Sequence, residues 1–112
     1  MQPDRHDPPS LTATAQVEAE SPWFDGHFPG DPILPGIAQL EMVLRLIAQE
    51  SGGRRLASLT RVKFKKAVRP GMALDLFATP AGQPNGYSFR ISSGGEEVCL
   101  GTMVFAGTEE NH

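Results

Sequence analysis

A single cysteine, Cys99, excludes an internal disulfide, and its place in the apolar run EVCLGTMVF reads as a small core residue rather than a nucleophile or ligand. Histidine is almost as scarce. His6, His27 and His112 are too scattered to form a metal-ligand cluster, so neither a metal nor another cofactor is expected. Long apolar runs are missing as well: nothing approaches the roughly 18 residues of a membrane span. The opening MQPDRHDPPS is polar and proline-rich where an export signal would carry a charged lead and an apolar stretch. A soluble, cytoplasmic protein without a membrane span is the default expectation. Basic charge is in deficit too. The net charge of -3 and pI near 5.5 argue against a general nucleic-acid binder, which would be strongly basic.

At 112 residues the chain fits one domain. A chain of this size buries only about two-thirds of the surface its unfolded form exposes, so partner subunits would help it. Residues 1–10 and 108–112 read as mobile tails around a single domain spanning 11–107, with no internal repeat.

Loose polar and apolar alternation over residues 11–20, LTATAQVEAE, predicts a first strand. A loop rich in proline follows, with Pro22, Pro29 and Pro32, and Pro35 sits where a helix tolerates it at its start. Helical spacing then runs from Gly36 to Ser51, where Gly52 and Gly53 stop it. On a helical wheel Ile37, Leu40, Val43, Leu44 and Ile47 cover a wide apolar arc, which predicts a central, largely buried helix. Beyond it LASLTRVKFKKAV, MALDLFATP, GYSFRISS and EEVCLGTMVFA read as four strands separated by Pro-Gly, Pro-Asn-Gly and Gly-Gly breaks. An antiparallel sheet needs one face covered, and this chain offers one helix to cover it. The fold class expected is therefore α+β, an antiparallel sheet wrapped around one long helix.

The segment Trp23 to Gln49, WFDGHFPGDPILPGIAQLEMVLRLIAQ, sets a histidine in a loop stiffened by Gly and Pro and a carboxylate, fourteen residues on, in an otherwise apolar helix. Phe24, Gly26, His27, Phe28, Pro29, Gly30, Pro32, Ile33, Leu34, Pro35, Gly36, Ile37 and Glu41 resemble the pattern of the FabZ/FabA-type 3-hydroxyacyl-(acyl-carrier-protein) dehydratases. The likeness continues more weakly through LTRVKFKKAVRPGMALDLFA and GEEVCLGTMVFA, covering about residues 12 to 106. This resemblance implies the hot-dog fold, a homodimer joined sheet edge to sheet edge, and water removal from 3-hydroxyacyl chains tethered to acyl carrier protein by phosphopantetheine. It also implies that His27 is the base, that Glu41 from the other subunit is the acid or water-orienting group, and that the amide of Gly36 receives the thioester carbonyl.

The residues bear those roles in different degrees. Elimination of water needs a proton taken beside a carbonyl and another given to the departing hydroxyl; a neutral histidine suits the first and a carboxyl group the second. His27 alone could be a histidine that merely hydrogen-bonds within its loop, but the flanking Gly26, Pro29 and Gly30 fix the backbone as positioning a base requires. Glu41 forms an i,i+4 pair with Arg45, often only a solvated stripe, yet it borders the apolar arc, where burial would favour the protonated acid. Arg45 departs from the family, whose members often carry glutamine there, and a cation so close opposes that effect. Gly36 opens the helix, where amide donors and a partial positive charge suit an oxygen gaining charge; close packing is the alternative reason for a glycine.

Arg61, Lys63, Lys65, Lys66 and Arg69 concentrate basic charge on an acidic chain, and are read either as a docking patch for an acidic carrier protein or as a solvated strand face. Phe28, Ile33, Leu34 and Phe64 are candidate tunnel walls or core. Two rival functions remain: a hot-dog acyl thioesterase, which has no evident need for the histidine, and a non-catalytic dehydratase-like subunit that pairs with an active homologue.

Overall fold

The computed structural model describes residues 10–18, 33–51 and 55–107, which leaves His27 and Phe28 outside the described residues. Five strands and one helix follow in the order β1 (Leu11–Gln16), α1 (Gly36–Ser51), β2 (Leu56–Phe64), β3 (Ala73–Pro80), β4 (Gly86–Ser93) and β5 (Glu96–Phe105). The strands form one antiparallel sheet in the order β1-β3-β4-β5-β2. Among the described residues a single helix lies against this sheet, which is the hot-dog arrangement that the family resemblance implied.

Alternation along the strands decides which face the helix covers. In β3, Leu74, Leu76 and Ala78 point inward while Ala73, Asp75 and Phe77 do not. Phe89 and Ile91 of β4 and Cys99, Met103 and Phe105 of β5 continue the same inner layer. The β4–β5 connection is a two-residue turn in which Gly94 and Gly95 both take positive φ, 59° and 86°, the backbone whose twist matches the flanking strands. Fully burying each large aliphatic side chain in this layer contributes about 1.5–3 kcal/mol.

Helix α1 packs chiefly over β1 and β3. Its buried face is made by Ala38, Gln39, Val43, Leu46 and Ile47, so the covered arc is rotated from the one the wheel predicted. Ile37, expected inside, is 69% exposed. The reason is positional: with the helix set toward one side of the sheet, the stripe of Ile37, Glu41, Arg45 and Gln49 has no sheet beneath it.

The expected strand 56–68 ends at Phe64. Lys65 and Lys66 both donate their backbone N–H to the Val98 carbonyl, at 2.8 and 3.3 Å, and the chain then turns inward so that Val68 is buried and its carbonyl accepts from Leu34 N at 2.7 Å. A bulge centred on Arg61, at φ 58°, interrupts the pairing of β2 with β5. Strand β2 is thus an edge strand that is exposed along most of its length. Together with Ile37, the partly exposed Leu59 and the half-exposed Phe64, it presents a backbone edge that has no strand partner among the described residues, beside apolar side chains.

Candidate active site

Helix α1 begins without a Ser, Thr, Asp or Asn cap. Instead the Pro35 carbonyl accepts from Ala38 N at 3.0 Å and from Gln39 N at 3.3 Å, which leaves the amides of Gly36 and Ile37 without an acceptor among the described residues. Gly36 lines a cleft of about 400 Å³ together with Ile33, Leu34, Gln39, Phe64, Lys65, Lys66 and Ala67. The structure therefore brings together Gly36, Ile33, Leu34 and Phe64, four residues singled out in the sequence. Leu34 is nonetheless chiefly a core residue, 1% exposed.

Gly36 is required by space. A Cβ at this position would stand 2.6 Å from Cζ of Phe64 and 2.9 Å from its Cε1, because the outer end of the ring stands against the first turn of the helix. Packing and an open amide are compatible here, since the ring covers the glycine from one side.

Glu41 does not line this cleft. Its side chain is 44% exposed on the outer stripe of α1, where Arg45 Nε donates to Oε2 at 3.3 Å. Its own chain buries it only in part, and Arg45 turns toward the carboxylate.

The basic cluster is only partly gathered. Lys65 and Lys66 line the cleft, but Lys65 Nζ donates to Glu97 Oε1 at 2.8 Å and Lys66 Nζ to Glu96 Oε1 at 2.6 Å. These hydrogen bonds, with the lysine charges behind them, hold both carboxyls below their usual range, and Arg90 lies 3.9 Å from Glu97 as well. The positive charge at the cleft mouth is thus largely answered locally. Arg61 borders a different depression with Thr60, Gly82, Gln83, Ser88 and Thr102. Lys63 and Arg69 are exposed and do not line the cleft.

Cys99 is buried, and desolvation pushes its thiol up to about 11, so it behaves as the core residue expected. Among the described residues no group of three or more His, Cys, Asp or Glu is placed to hold a metal. No helix among them is long and apolar enough to cross a membrane.

One polar side chain escaped the reading of the sequence. Gln39 is 3% exposed, and its Nε2 faces the Leu34 carbonyl at 3.5 Å while Oε1 has no hydrogen-bond partner among the described residues. A signal was present: on the wheel Gln39 falls between Val43 and Leu46, inside the buried arc.

Residues 3–102 match the family model of the ApeI-like proteins, described as ApeI dehydratase. The 3-hydroxyacyl-(acyl-carrier-protein) dehydratase FabZ of Caldicellulosiruptor saccharolyticus is 37% identical over 102 residues, covering 80% of this chain and 72% of the relative. That of Chlamydia caviae is 34% identical over 113 residues, covering 89% and 69%. In three dimensions the chain superimposes on the dehydratase heterocomplex ApeI:P from Xenorhabdus doucetiae with a TM-score of 0.78 at 27% identity, covering 88% of each chain.

Proposed function

The chain belongs to the ApeI-like hot-dog dehydratases, related also to the FabZ proteins, and on that premise we propose that it removes water from 3-hydroxyacyl thioesters on acyl carrier protein. The product is the trans-2-enoyl thioester of fatty-acid or related lipid or polyene biosynthesis in the cytoplasm. The observation that carries this reading is that Gly36, at the start of α1, lines a largely apolar cleft of the right size for the reacting end of an acyl chain.

The step needs a base, an acid and a site for the carbonyl. In this reading His27 removes a proton from C2, the freed electron pair forms the C2–C3 double bond, and the C3–O bond breaks as Glu41 protonates the hydroxyl, which leaves as water. Negative charge that gathers on the thioester oxygen meanwhile is met by the Gly36 amide and the positive end of α1. Glu41 is supplied by a second subunit, which is why it stands on an exposed stripe away from its own chain's cleft. The bare edge of β2 and the exposed Ile37 give that second subunit an apolar, hydrogen-bonding surface to join.

A second reading is supported by the Arg45–Glu41 ion pair and by the likeness to a chain of a dehydratase heterocomplex. In it this chain serves as the dehydratase-like partner of an active homologue. One experiment separates the readings: purified protein is incubated with 3-hydroxyacyl carrier protein, and the acyl chain is followed by mass. Loss of one water by the protein alone, abolished by His27→Ala, supports the homomeric dehydratase. Water loss only after a homologue is added makes the chain a partner subunit. Release of free acid instead makes it a thioesterase.

A further inference from the structure

The bulkiest side chain around the cleft is also the one that crowds Gly36. Leu34 and Gln39 are buried in the body of the domain, and Lys65 and Lys66 are tied to Glu97 and Glu96. Phe64 is held differently. Its ring is half exposed, yet Cζ, Cε1 and Cε2 stand 2.6, 2.9 and 3.1 Å from where a Cβ on Gly36 would lie, which leaves no room for one methyl. The backbone that carries the ring is fixed: Phe64 is paired with Cys99 across the sheet, and Lys65 and Lys66 donate their N–H groups to the Val98 carbonyl. The ring can turn about its own side-chain torsions, at the loss of its contact with Gly36, but it stays beside the start of the helix.

That crowding bears on an acyl group whose carbonyl is held at Gly36. A carbonyl oxygen accepting from this amide stands about 3 Å from the nitrogen, which brings C2 of the chain to about 5 Å from it, beside the ring. A methylene at C2 needs no more space than ordinary contact allows. A methyl branch on the ring side meets the same obstacle as a methyl on Gly36. We propose that Phe64 is a specificity-determining residue that restricts this cleft to acyl chains unbranched at C2. The inference rests on the reading of the cleft as a 3-hydroxyacyl site with its carbonyl at Gly36. Because the ring is half exposed and can rotate, the discrimination falls at the low end of what one methylene is worth in a pocket, about tenfold.

The test is binding without turnover. The 3-hydroxybutyryl amide of aminopantetheine, whose amide carbonyl strongly slows elimination, is compared by calorimetry with each C2 epimer of its 2-methyl derivative. On wild type at least one epimer is expected to bind about tenfold more weakly than the unbranched amide. In Phe64→Ala that epimer binds within about twofold of the unbranched amide. Phe64→Leu, which keeps an apolar side chain should the alanine variant fail to fold, narrows the gap to about threefold. Ile33→Ala, at another wall of the same cleft, leaves the gap in place. Equal binding of all three amides by wild type, binding of none, a gap that survives in both Phe64 variants, or a gap that Ile33→Ala also removes overturns the proposal. Turnover is measured separately on unbranched 3-hydroxyacyl carrier protein: wild type that discriminates the amides yet releases no water sinks the dehydratase reading and leaves Phe64 as a wall against branching.

Discussion

Gly36→Ala tests whether the ring of Phe64 and the first turn of α1 form one wall. The added methyl would meet Phe64 Cζ at 2.6 Å and Cε1 at 2.9 Å, about 1 Å inside the usual 3.5–4.0 Å contact. The helix start is held by the paired bonds to the Pro35 carbonyl, whereas Phe64 is 51% exposed at the end of an edge strand, so the ring gives way. Alanine gains up to about 1 kcal/mol over glycine in a helix, less in the first turn, while overpacking typically costs about 1–3 kcal/mol. The net expected is a destabilisation of about 0–3 kcal/mol. In a Phe64→Ala background the obstruction is gone and the same substitution should be neutral or stabilising. The double-mutant cycle therefore predicts a coupling of about 1–3 kcal/mol, the overpacking cost itself, read by urea denaturation at fixed protein concentration. Turnover is followed in parallel, because a wall displaced by about 1 Å beside a reacting centre can lower rates by up to about a hundredfold. Additivity within about 0.5 kcal/mol would refute the packing argument. Unchanged turnover in Gly36→Ala would remove this cleft from the chemistry.

Arg45→Gln should alter turnover by releasing Glu41 from its ion pair while changing stability by less than about 0.5 kcal/mol, as expected of an exposed i,i+4 pair; identical kinetics would make the pair a surface feature only. Glu96→Gln with Glu97→Gln frees Lys65 and Lys66, so KM for carrier-bound substrate should fall at low salt and the gain should fade near physiological salt, where the Debye length is about 8 Å. An equal response of small pantetheine thioesters would end the docking role of these lysines. The buried thiol makes stability depend on alkali: its folded pKa of about 11 exceeds the ordinary value of 9.0, so its contribution is complete below pH 9 and is lost as pH rises toward 11. Two units amount to about 3 kcal/mol. Denaturation of wild type against Cys99→Ala across that range should show the difference, and rapid reaction of native Cys99 with a thiol reagent at pH 8 would contradict it.

Much of this molecule was legible from residue order. The alternation of Leu74, Leu76 and Ala78, the Gly94-Gly95 turn and the single apolar helix determined a sheet covered by one helix, because period and turn chemistry are local properties. The spelling from Phe24 to Glu41 pointed to a dehydratase family for the same reason: the spacing of residue types is written in the chain itself. What it left open depended on where the helix sits. A wheel gives an apolar arc but not the side of the sheet it settles on, so Ile37 was placed inside and Gln39 overlooked until packing over β1 and β3 fixed the rotation. Charge behaved likewise: the basic run around Lys65 and Lys66 looks unopposed in sequence, yet Glu96 and Glu97, some thirty residues away, are brought against it by the turn inward after β2. Sequence by itself determined the elements and the residue types available for chemistry. Tertiary structure alone decided which of them share a cleft, because side chains far apart in the chain meet only when the sheet register and the seat of the helix bring them together.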